Sequence, residues 1–553
     1  MSPEFTPARN DGRPPAVSWP AVARVVLAAL AAAGLFWAPL IFGGALHGHD
    51  WTSHHFGYFD WVRIAMSEYG TLPLYMADAW VTPNFVGNAE SPGLGPLAWL
   101  LLILPTGAYI KLLIVVFSAA GLAGMFLLLR DLGAHESLAV FGAVVFAFGG
   151  FFTSHIGVGH HWAMGGWLLP VMLLLFRRAV FGSVGALVAA AVVNALTIMG
   201  GQHQPFVWQN LVLSFFAVLW SIEIRSWLPA LRWAAIVVGA LALGAVKILP
   251  VGLEFADYAP TATVQGLPVV SLLLSLVGPG QSAAQLDPRI VFEYGAGWWE
   301  YAFYMGPVAL AAVLVGCVVG RRAWPLLAIG VFFLALALEP GGAWALLEDL
   351  PIWRSQRGPS RFLFLSLFAF TVVGAVGLER LRQRASLRLP RVAVAAAWLL
   401  AAFVTGDLWI ASRPWQDEAT GPAIERVDHR PRPLELRSAG GSARLERFEP
   451  NRLSYRIDAS GESFVVLPVR FGKRGVEWSV EADGIEDPAE LRLSARQGKL
   501  ALNLPQGERE IVLRYRPPGL RAGAALSGVT VAGLLGWTIH RSRSRRGGAQ
   551  DVG

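Results

Sequence analysis

Charged residues and cysteine are both scarce in this sequence of 553 residues. Asp, Glu, Lys and Arg together make up 15% of the chain, whereas hydrophobic residues make up 54%. A soluble protein of this composition could not cover its surface with polar groups, so the sequence predicts a polytopic α-helical membrane protein. The single cysteine, Cys317, lies within an apolar run, which excludes an internal disulfide framework and a cysteine-based metal site.

Motifs for binding nucleotides are also missing. The Gly149-Gly150 pair lacks the Lys and the Ser or Thr that a phosphate-binding loop requires. The net charge is +7, but many arginines lie at the ends of apolar segments, where they set the orientation of a membrane protein. We therefore expect membrane lipid as a partner, no nucleic acid and no cofactor.

Apolar segments recur along the chain, and about twelve of them are predicted to cross the membrane, given that one crossing needs roughly 20 residues. They are 21–45, 108–129, 138–152, 165–176, 184–199, 206–221, 229–249, 305–319, 325–338, 362–377, 392–410 and 523–540. The segment 94–104 is also apolar, but it is too short to cross and Pro105 ends it. We expect it to dip into the outer face and return.

Arginines in the short loops predict which ends of these spans face the cytoplasm. Arg130, Arg177, Arg178 and the arginines after residue 540 fall on one side when every span is counted once. That side is predicted to be cytoplasmic, and the loop 46–96 then faces outward. The polar N-terminal tail has no cleavable-signal pattern and is expected to stay in the cytoplasm.

Apolar and polar residues alternate in the outer segment 412–518, as at Leu453, Tyr455 and Ile457. A period of two is typical of half-buried strands, so we expect a small antiparallel β-sandwich before the last span. The chain is thus predicted to have three parts. These are a transmembrane domain, 1–411, with the outer loop 46–96; the β-sandwich domain, 412–518; and a final helix with a basic cytoplasmic tail, 519–553.

The outer loop 46–96 contains a candidate catalytic carboxylate, Asp50. It lies a few residues past the first span, where partial desolvation would allow it to act as a general base. The segment 59–69 has one apolar helical face, which predicts a helix lying flat on the membrane and holding Asp50 at headgroup depth. The alternative is that Asp50 is simply solvated, as loop carboxylates usually are.

Other residues of this loop are candidates for binding a substrate. His54 and His55 are predicted to bind an acceptor or a phosphate, and Glu90 is a further candidate. Metal binding is an alternative for the histidines of this loop together with His155, His160, His161 and His203 of other predicted outer loops. We expect no metal, because no pair of these histidines has the helical i, i+4 spacing, with a carboxylate, of a specific metal motif.

Three arginines, Arg354, Arg357 and Arg361, lie on an outer loop and so break the inside bias of the other arginines. The guanidinium fork matches two phosphate oxygens, so these residues are predicted to bind the phosphate of a lipid-linked donor. Anchoring to anionic lipid is the alternative. Lys111 and Lys247, both near outer span ends, are weaker candidates for the same phosphate.

A series of motifs appears in a characteristic order along the chain. It comprises Gly48 and Asp50, Phe59 and Arg63, residues 69–75, Pro83-Asn84, Ser91, residues 95–97, residues 127–133, residues 148–152, residues 357–365 and residues 377–381. The series resembles the YfhO-like bacterial membrane proteins, which belong with the glycosyltransferase C (GT-C) superfamily. One departure is that Gly475 and Trp478, adjacent in the family's pattern, are separated here.

The resemblance implies a GT-C-like fold and a bacterial inner-membrane enzyme with its active site and β-sandwich on the extracytoplasmic side. Such an enzyme takes a sugar from a polyprenyl-phosphate carrier and passes it to a cell-envelope acceptor. Asp50 matches the superfamily's first-loop acidic residue, and the resemblance implies that it is the base in an inverting displacement. Two other functions remain open, a lipid or solute transporter and a non-catalytic membrane assembly protein.

Overall fold

The computed structural model of the protein describes most of the chain. The described residues are 19–76, 84–256, 266–278, 297–320, 323–339, 342–350, 353, 356, 358–422, 436–438, 441–459, 463–470, 478–483, 493–496, 499–504 and 506–547.

Helices make up most of the described residues. The α-helices are α1 (Trp19–Phe36), α2 (Ala38–Phe42), α3 (Phe56–Tyr69), α4 (Thr106–Asp131), α5 (Glu136–Phe148), α6 (Gly150–Val158), α7 (Leu169–Val180), α8 (Val184–Met199), α9 (His203–Ile224), α10 (Leu228–Leu243), α11 (Ala245–Phe255), α12 (Val269–Val277), α13 (Pro307–Val319), α14 (Trp324–Ala337), α15 (Gly342–Ala345), α16 (Leu363–Ser386), α17 (Pro390–Glu418) and α18 (Leu520–Gly547). A π-helical turn spans Trp51–His55, and 3-10 helices span Pro96–Leu102, His161–Leu168, Trp298–Glu300 and Pro359–Phe362.

Eight helical segments within the described residues are long and apolar enough to cross a membrane, which makes this a multi-pass membrane protein. They are Trp19–Phe36, Thr106–Asp131, Glu136–Val158, His161–Val180, His203–Ile224, Pro359–Ser386, Pro390–Glu418 and Leu520–His540.

Each of the apolar segments predicted to cross coincides with a helix, but the count of twelve is not confirmed. The helices α8, α13 and α14 have 16, 13 and 14 residues. At 1.5 Å per residue they extend about 20–24 Å, less than the roughly 30 Å of the hydrocarbon layer. The helices α10 and α11 pass the test only together and are bent by 85°, so the count rises to nine if they form one span.

The last helix, α18, hydrogen-bonds to backbone groups at the break between α10 and α11. The backbone N–H of Val246 donates to Oγ of Ser527 at 3.0 Å, and that hydroxyl donates to the carbonyl of Ala242 at 3.3 Å. Backbone groups freed by a helix break inside a membrane need partners of this kind. The final span therefore belongs to the same packed helical body as the bent pair.

The helix α3 differs from the flat interfacial helix expected over 59–69. Its Phe59 ring packs on Tyr109 of α4 with 5.6 Å between ring centroids, and its Trp61 ring packs on Phe448 at 5.8 Å. Both Phe59 and Trp61 are only 1% exposed. Periodicity correctly indicated a helix, but α3 is packed against α4 on one side and against Phe448 on another, and only its residues Ser67 and Glu68 are exposed.

Two antiparallel sheets form from the outer segment. One has five strands in the order β5 (Leu436–Ser438), β6 (Gly441–Glu449), β7 (Arg452–Ala459), β12 (Gly507–Tyr515) and β9 (Trp478–Ala482). The other has three strands in the order β10 (Leu493–Arg496), β11 (Lys499–Leu504) and β8 (Ser463–Arg470). The remaining strands have two residues each, with β1 (Ala45–Leu46) paired to β4 (Thr420–Gly421) and β2 (Leu267–Pro268) paired to β3 (Leu338–Glu339).

Strands β7, β11 and β12 cover residues at which alternation predicted strands. Leu453, Tyr455 and Ile457 are each 1% exposed or less, as their pattern requires. The predicted boundary at 411/412 falls inside a helix, because α17 continues to Glu418. The division into three domains stays a prediction.

The first outer loop enters the core of the larger sheet through Tyr75. Its ring is 1% exposed and packs on Trp478 and Tyr515, with centroid distances of 4.9 and 5.3 Å. Asn451, in the turn between β6 and β7, fixes the same loop, because its side chain accepts from the N–H of Leu74 at 2.6 Å and donates to the carbonyl of Leu72 at 2.8 Å. The loop and the sheet therefore form one packed unit.

We expect Tyr75→Ala to lower the free energy of unfolding of the larger sheet by about 3–5 kcal/mol, because it removes a fully buried aromatic ring. Hydrogen exchange of the backbone amides of β7 and β12 measures the change. Glu508→Ala, at an exposed position of the same sheet, is the control and should leave these amides protected. Unchanged protection in Tyr75→Ala would mean that the sheet closes its core without the loop.

Candidate active site

Asp50 immediately precedes the π-helical turn Trp51–His55, and its carboxylate contacts two histidines. Its Oδ1 lies 2.7 Å from Nδ1 of His49, and its Oδ2 lies 2.8 Å from Nε2 of His160. The Asp50 side chain is 16% exposed and that of His160 is 8% exposed. The carboxylate is therefore held in place but still accessible to a substrate.

These histidines also set the charge of Asp50. Burial by itself would raise the pKa of this carboxyl, but the hydrogen bond from His160 and the charges of His160 and His54 outweigh burial. They hold the pKa well below its usual range, so Asp50 is a carboxylate at any physiological pH.

A glycine makes the contact between Asp50 and His160 possible. Gly159 ends α6 in the left-handed region at φ +108°, and a Cβ there would collide with the backbone N of Trp51. Only glycine permits both this conformation and so close an approach. The turn places His160 next to Asp50, although 110 residues separate them in the chain.

Two pairs of buried histidine rings lie around this carboxylate. Nδ1 of His160 is 2.8 Å from Nδ1 of His155, and Nδ1 of His161 is 2.9 Å from Nδ1 of His55. Burial and the neighbouring His161 lower the pKa of His55 well below its ordinary value, so His55 is neutral. The sequence indicates His54 and His55 as substrate-binding candidates, and His155, His160 and His161 only as members of the group of predicted outer-loop histidines.

Asp50, His54 and His55 are close enough to share a metal ion. Each offers one ligand atom, and these atoms lie within 4.8 Å of one another. Two imidazoles and a carboxylate form a donor set that suits zinc and similar divalent cations. The signal was present in the sequence as the spacing of four between Asp50 and His54, and the π-helical turn brings His55 to the same place.

Arg361 is engaged with protein groups and does not present an open fork. Its Nε donates to Oε2 of Glu300 at 2.7 Å, Nη2 donates to the other oxygen of Glu300, and Nη1 donates to Oε1 of Gln204 at 2.8 Å. Its guanidinium also stacks on Trp162, 4.5 Å from the ring centroid. Binding of a phosphate by Arg361 stays a prediction.

Glu300 was missed because its partner lies 61 residues away. Burial would raise the pKa of this carboxyl, but the charge and hydrogen bonds of Arg361 outweigh it and hold the pKa well below its usual range. The pair is therefore ionic although it is buried. Only 11% of the Arg361 side chain and 5% of the Glu300 side chain are exposed.

The two candidate lysines are likewise bound to oxygens of the protein. Lys111 donates to the carbonyls of Ile41 and Gly44, where α2 ends. Lys247 is 0% exposed and donates to oxygens of the first outer loop. For both lysines, binding of a phosphate stays a prediction.

Of the remaining candidates, Glu90 is the one within the described residues. The backbone of Glu90 lies against His161, and the charge of Glu90 acts on Arg361, so Glu90 belongs to the wall of the site. Arg354 and Arg357 lie outside the described residues.

One of the motifs that carry the resemblance contacts the start of α5. The backbone N–H of His135, two residues after the motif 127–133, donates to Oε2 of Glu379 at 3.0 Å. Glu379 lies within the motif 377–381, and Arg382 donates to it as well. Glu379 therefore stabilises the junction of α5 and α16.

Comparison with known proteins gives a structural likeness but no family. No protein-family model matches the chain, and no curated protein matches it. The chain is similar to a crystal structure of the Archaeoglobus fulgidus oligosaccharyltransferase, tethered through a disulfide bond to an acceptor peptide containing the NVT sequon. The identity is 15%, the TM-score is 0.36, and the match covers 72% of this chain and 56% of that one.

The chain thus spans about half the length of that oligosaccharyltransferase, with 56% of it covered. A likeness of this extent assigns neither an activity nor a partner to the present protein. The resemblance to the YfhO-like proteins is not supported by a family model and stays a prediction.

We expect Arg361→Gln to destabilise the protein by about 3–5 kcal/mol, because it leaves the Glu300 carboxylate buried and unpaired. Thermal unfolding in detergent measures the loss, and adding Glu300→Gln should recover part of it. Arg456→Gln is the matched control, since that arginine is likewise ion-paired, with Glu446 and Glu508, but is exposed. A change no larger than that of the control would contradict the buried ion pair.

Proposed function

We propose that the protein is a GT-C-like glycosyltransferase that moves a sugar from a polyprenyl-phosphate carrier to a cell-envelope acceptor. The observation that carries the proposal is the Asp50 carboxylate, which His49 and His160 hold just past the first span with 16% of its side chain exposed. A fixed and accessible carboxylate at the end of a membrane span suits a reaction with a lipid-linked substrate. The motifs shared with the YfhO-like proteins support the same reading.

The proposed reaction is a single inverting displacement. The acceptor hydroxyl oxygen bonds to the anomeric carbon, while the bond from that carbon to the phosphate oxygen breaks and its electron pair leaves with the phosphate. The hydroxyl proton passes to Asp50. A carboxyl with a depressed pKa is a weak base, so the proton moves late, after the attacking oxygen has become acidic in an oxocarbenium-like transition state.

The departing phosphate needs positive charge nearby. We assign this role to Arg354 and Arg357, whose planar forks match phosphate oxygens. Arg361 has a different role, because its ion pair with Glu300 anchors the end of the same loop. His54 and Glu90 are proposed to contact the acceptor or the sugar.

We also propose that the site faces the extracytoplasmic side of a bacterial inner membrane. The helix α4 supports this orientation. Near its start, Thr106 donates to Asp60 of the first outer loop at 2.9 Å, and at its end Asp131 accepts from Arg177 at 2.8 Å. Its 26 residues extend about 39 Å, so the arginine cluster predicted to be cytoplasmic and the loop that carries Asp50 lie at opposite ends.

We expect Asp50→Asn to fold normally and to lose transfer by about 10² to 10⁴-fold, because positioned general-base catalysis contributes that much. Purified protein in liposomes is incubated with radiolabelled undecaprenyl-phosphate-linked glucose, N-acetylglucosamine and arabinose and with cell-envelope extract as the acceptor. Asp417→Asn, an exposed carboxylate at the end of α17, is the control.

Near wild-type transfer by Asp50→Asn would remove Asp50 from the mechanism. Movement of label across the liposome without transfer, by the wild-type protein, would instead favour a transporter. Association with envelope proteins and no chemistry would favour an assembly protein.

We expect Arg357→Gln to weaken binding of undecaprenyl phosphate by roughly tenfold, because one charge-assisted pair is lost. The dissociation constant is measured with the purified protein, and its unfolding temperature should stay unchanged. Arg388→Gln is the control, because Arg388 is exposed in the loop after α16. An unchanged dissociation constant would return Arg357 to the role of a lipid anchor.

A further inference from the structure

Lys247 is completely buried three residues after the break between α10 and α11. Its ammonium group donates to the carbonyl of Asn88 at 2.6 Å, to the carbonyl of Ser91 at 3.0 Å and to the hydroxyl of Ser91 at 2.6 Å. Lys247 is 0% exposed, and Asn88 and Ser91 are each 1% exposed. An ionisable side chain inside a membrane helix marks a functional position by default.

The contacts of Lys247 leave no donor for a substrate. An ammonium group has three N–H bonds, and three oxygens of the first outer loop receive them. No carboxylate contacts this group in the part of the chain that the structure describes. The loop oxygens therefore replace the hydration of the charge, which could not otherwise be buried at an acceptable free energy.

The loop segment that contacts Lys247 in turn needs this lysine as a hydrogen-bond donor. Between Asn84 and Gly95 it forms turns without an α-helix or a strand, so its buried carbonyls need partners from elsewhere. Lys247 supplies them at Asn88 and Ser91, on both sides of Glu90. The Asn88 side chain continues the chain of contacts by donating to the hydroxyl of Tyr58 on α3 at 3.1 Å.

The residue enclosed by these contacts, Glu90, belongs to the wall of the candidate active site. Its backbone lies against His161, which pairs with His55, and its charge acts on Arg361. A shift of the 88–91 segment would therefore move His161 and, through it, the His55 ring, which offers a ligand atom within 4.8 Å of Asp50.

We infer that Lys247 is a positioning residue, which fixes the 88–91 segment and thereby places Glu90 against His161, the partner of His55 in the candidate site. The inference rests on the proposed transferase function for its effect on activity, but the hold on the loop can be measured without any substrate. It replaces the idea that Lys247 binds the phosphate of the donor.

Hydrogen exchange of the full-length protein in nanodiscs tests the hold on the loop. We expect Lys247→Met to raise exchange of amides within 84–95 by tenfold or more, and Ser91→Ala, which removes one of the three oxygens, to raise it less. Ser527→Ala is the control, because it removes hydrogen bonds on the other side of the same helix break. It should leave the 84–95 amides unchanged.

Transfer kinetics test the effect on the site, with the undecaprenyl-phosphate sugar that the wild-type protein uses among glucose, N-acetylglucosamine and arabinose. We expect Lys247→Met to lower kcat about tenfold with KM within about twofold, and Lys247→Arg to restore most of the rate. Because Lys247 acts through the loop, Lys247→Met should add little to the loss caused by Glu90→Gln. Ser527→Ala should match the wild type.

Three results would overturn the inference. The first is unchanged exchange within 84–95 in Lys247→Met. The second is that the rate losses of Lys247→Met and Glu90→Gln multiply in the double variant. The third is that Lys247→Met binds undecaprenyl phosphate more weakly while the 84–95 amides stay protected. Failure of the transferase function is distinguishable, because the wild type would then transfer no label while the exchange result for the loop stands.

Discussion

Ionisable groups buried among apolar helices must find their partners within the protein, and this constraint shapes the structure on both sides of the membrane. Water is not available to them, so each unpaired charge would cost several kcal/mol. Lys247 takes loop oxygens, Arg361 takes Glu300, and Asp131 takes Arg177. Asp50 differs because 16% of its side chain stays exposed.

Much of the helical architecture follows from the sequence, because long apolar runs and their periodicity have few other solutions. The number of crossings does not follow, since hydropathy cannot locate the bend after Leu243 or the ends of α8 and α13. The environment of α3 was also out of reach. Its Trp61 ring packs on Phe448, a residue that lies hundreds of positions further along the chain.

The candidate site is likewise predicted by the sequence only in part. Asp50, His54 and His55 are neighbours in the chain, and composition near a span end was enough to select them. The contacts of Asp50 with His160 and of Arg361 with Glu300 join residues 110 and 61 positions apart, so no local pattern encodes them. Lys247 was a candidate because of its charge, but the loop oxygens that contact its ammonium group became visible only with the fold.

The insertion of Tyr75 into the larger sheet has a consequence for biosynthesis. The first strand of that sheet begins at Leu436, so the ribosome adds about 360 residues after Tyr75 before any of the sheet exists. At about 5–20 residues per second, this interval lasts about 20–70 s. The Tyr75 side chain is without its final neighbours throughout that time. It can pack into the larger sheet only after nearly all helices have been translated.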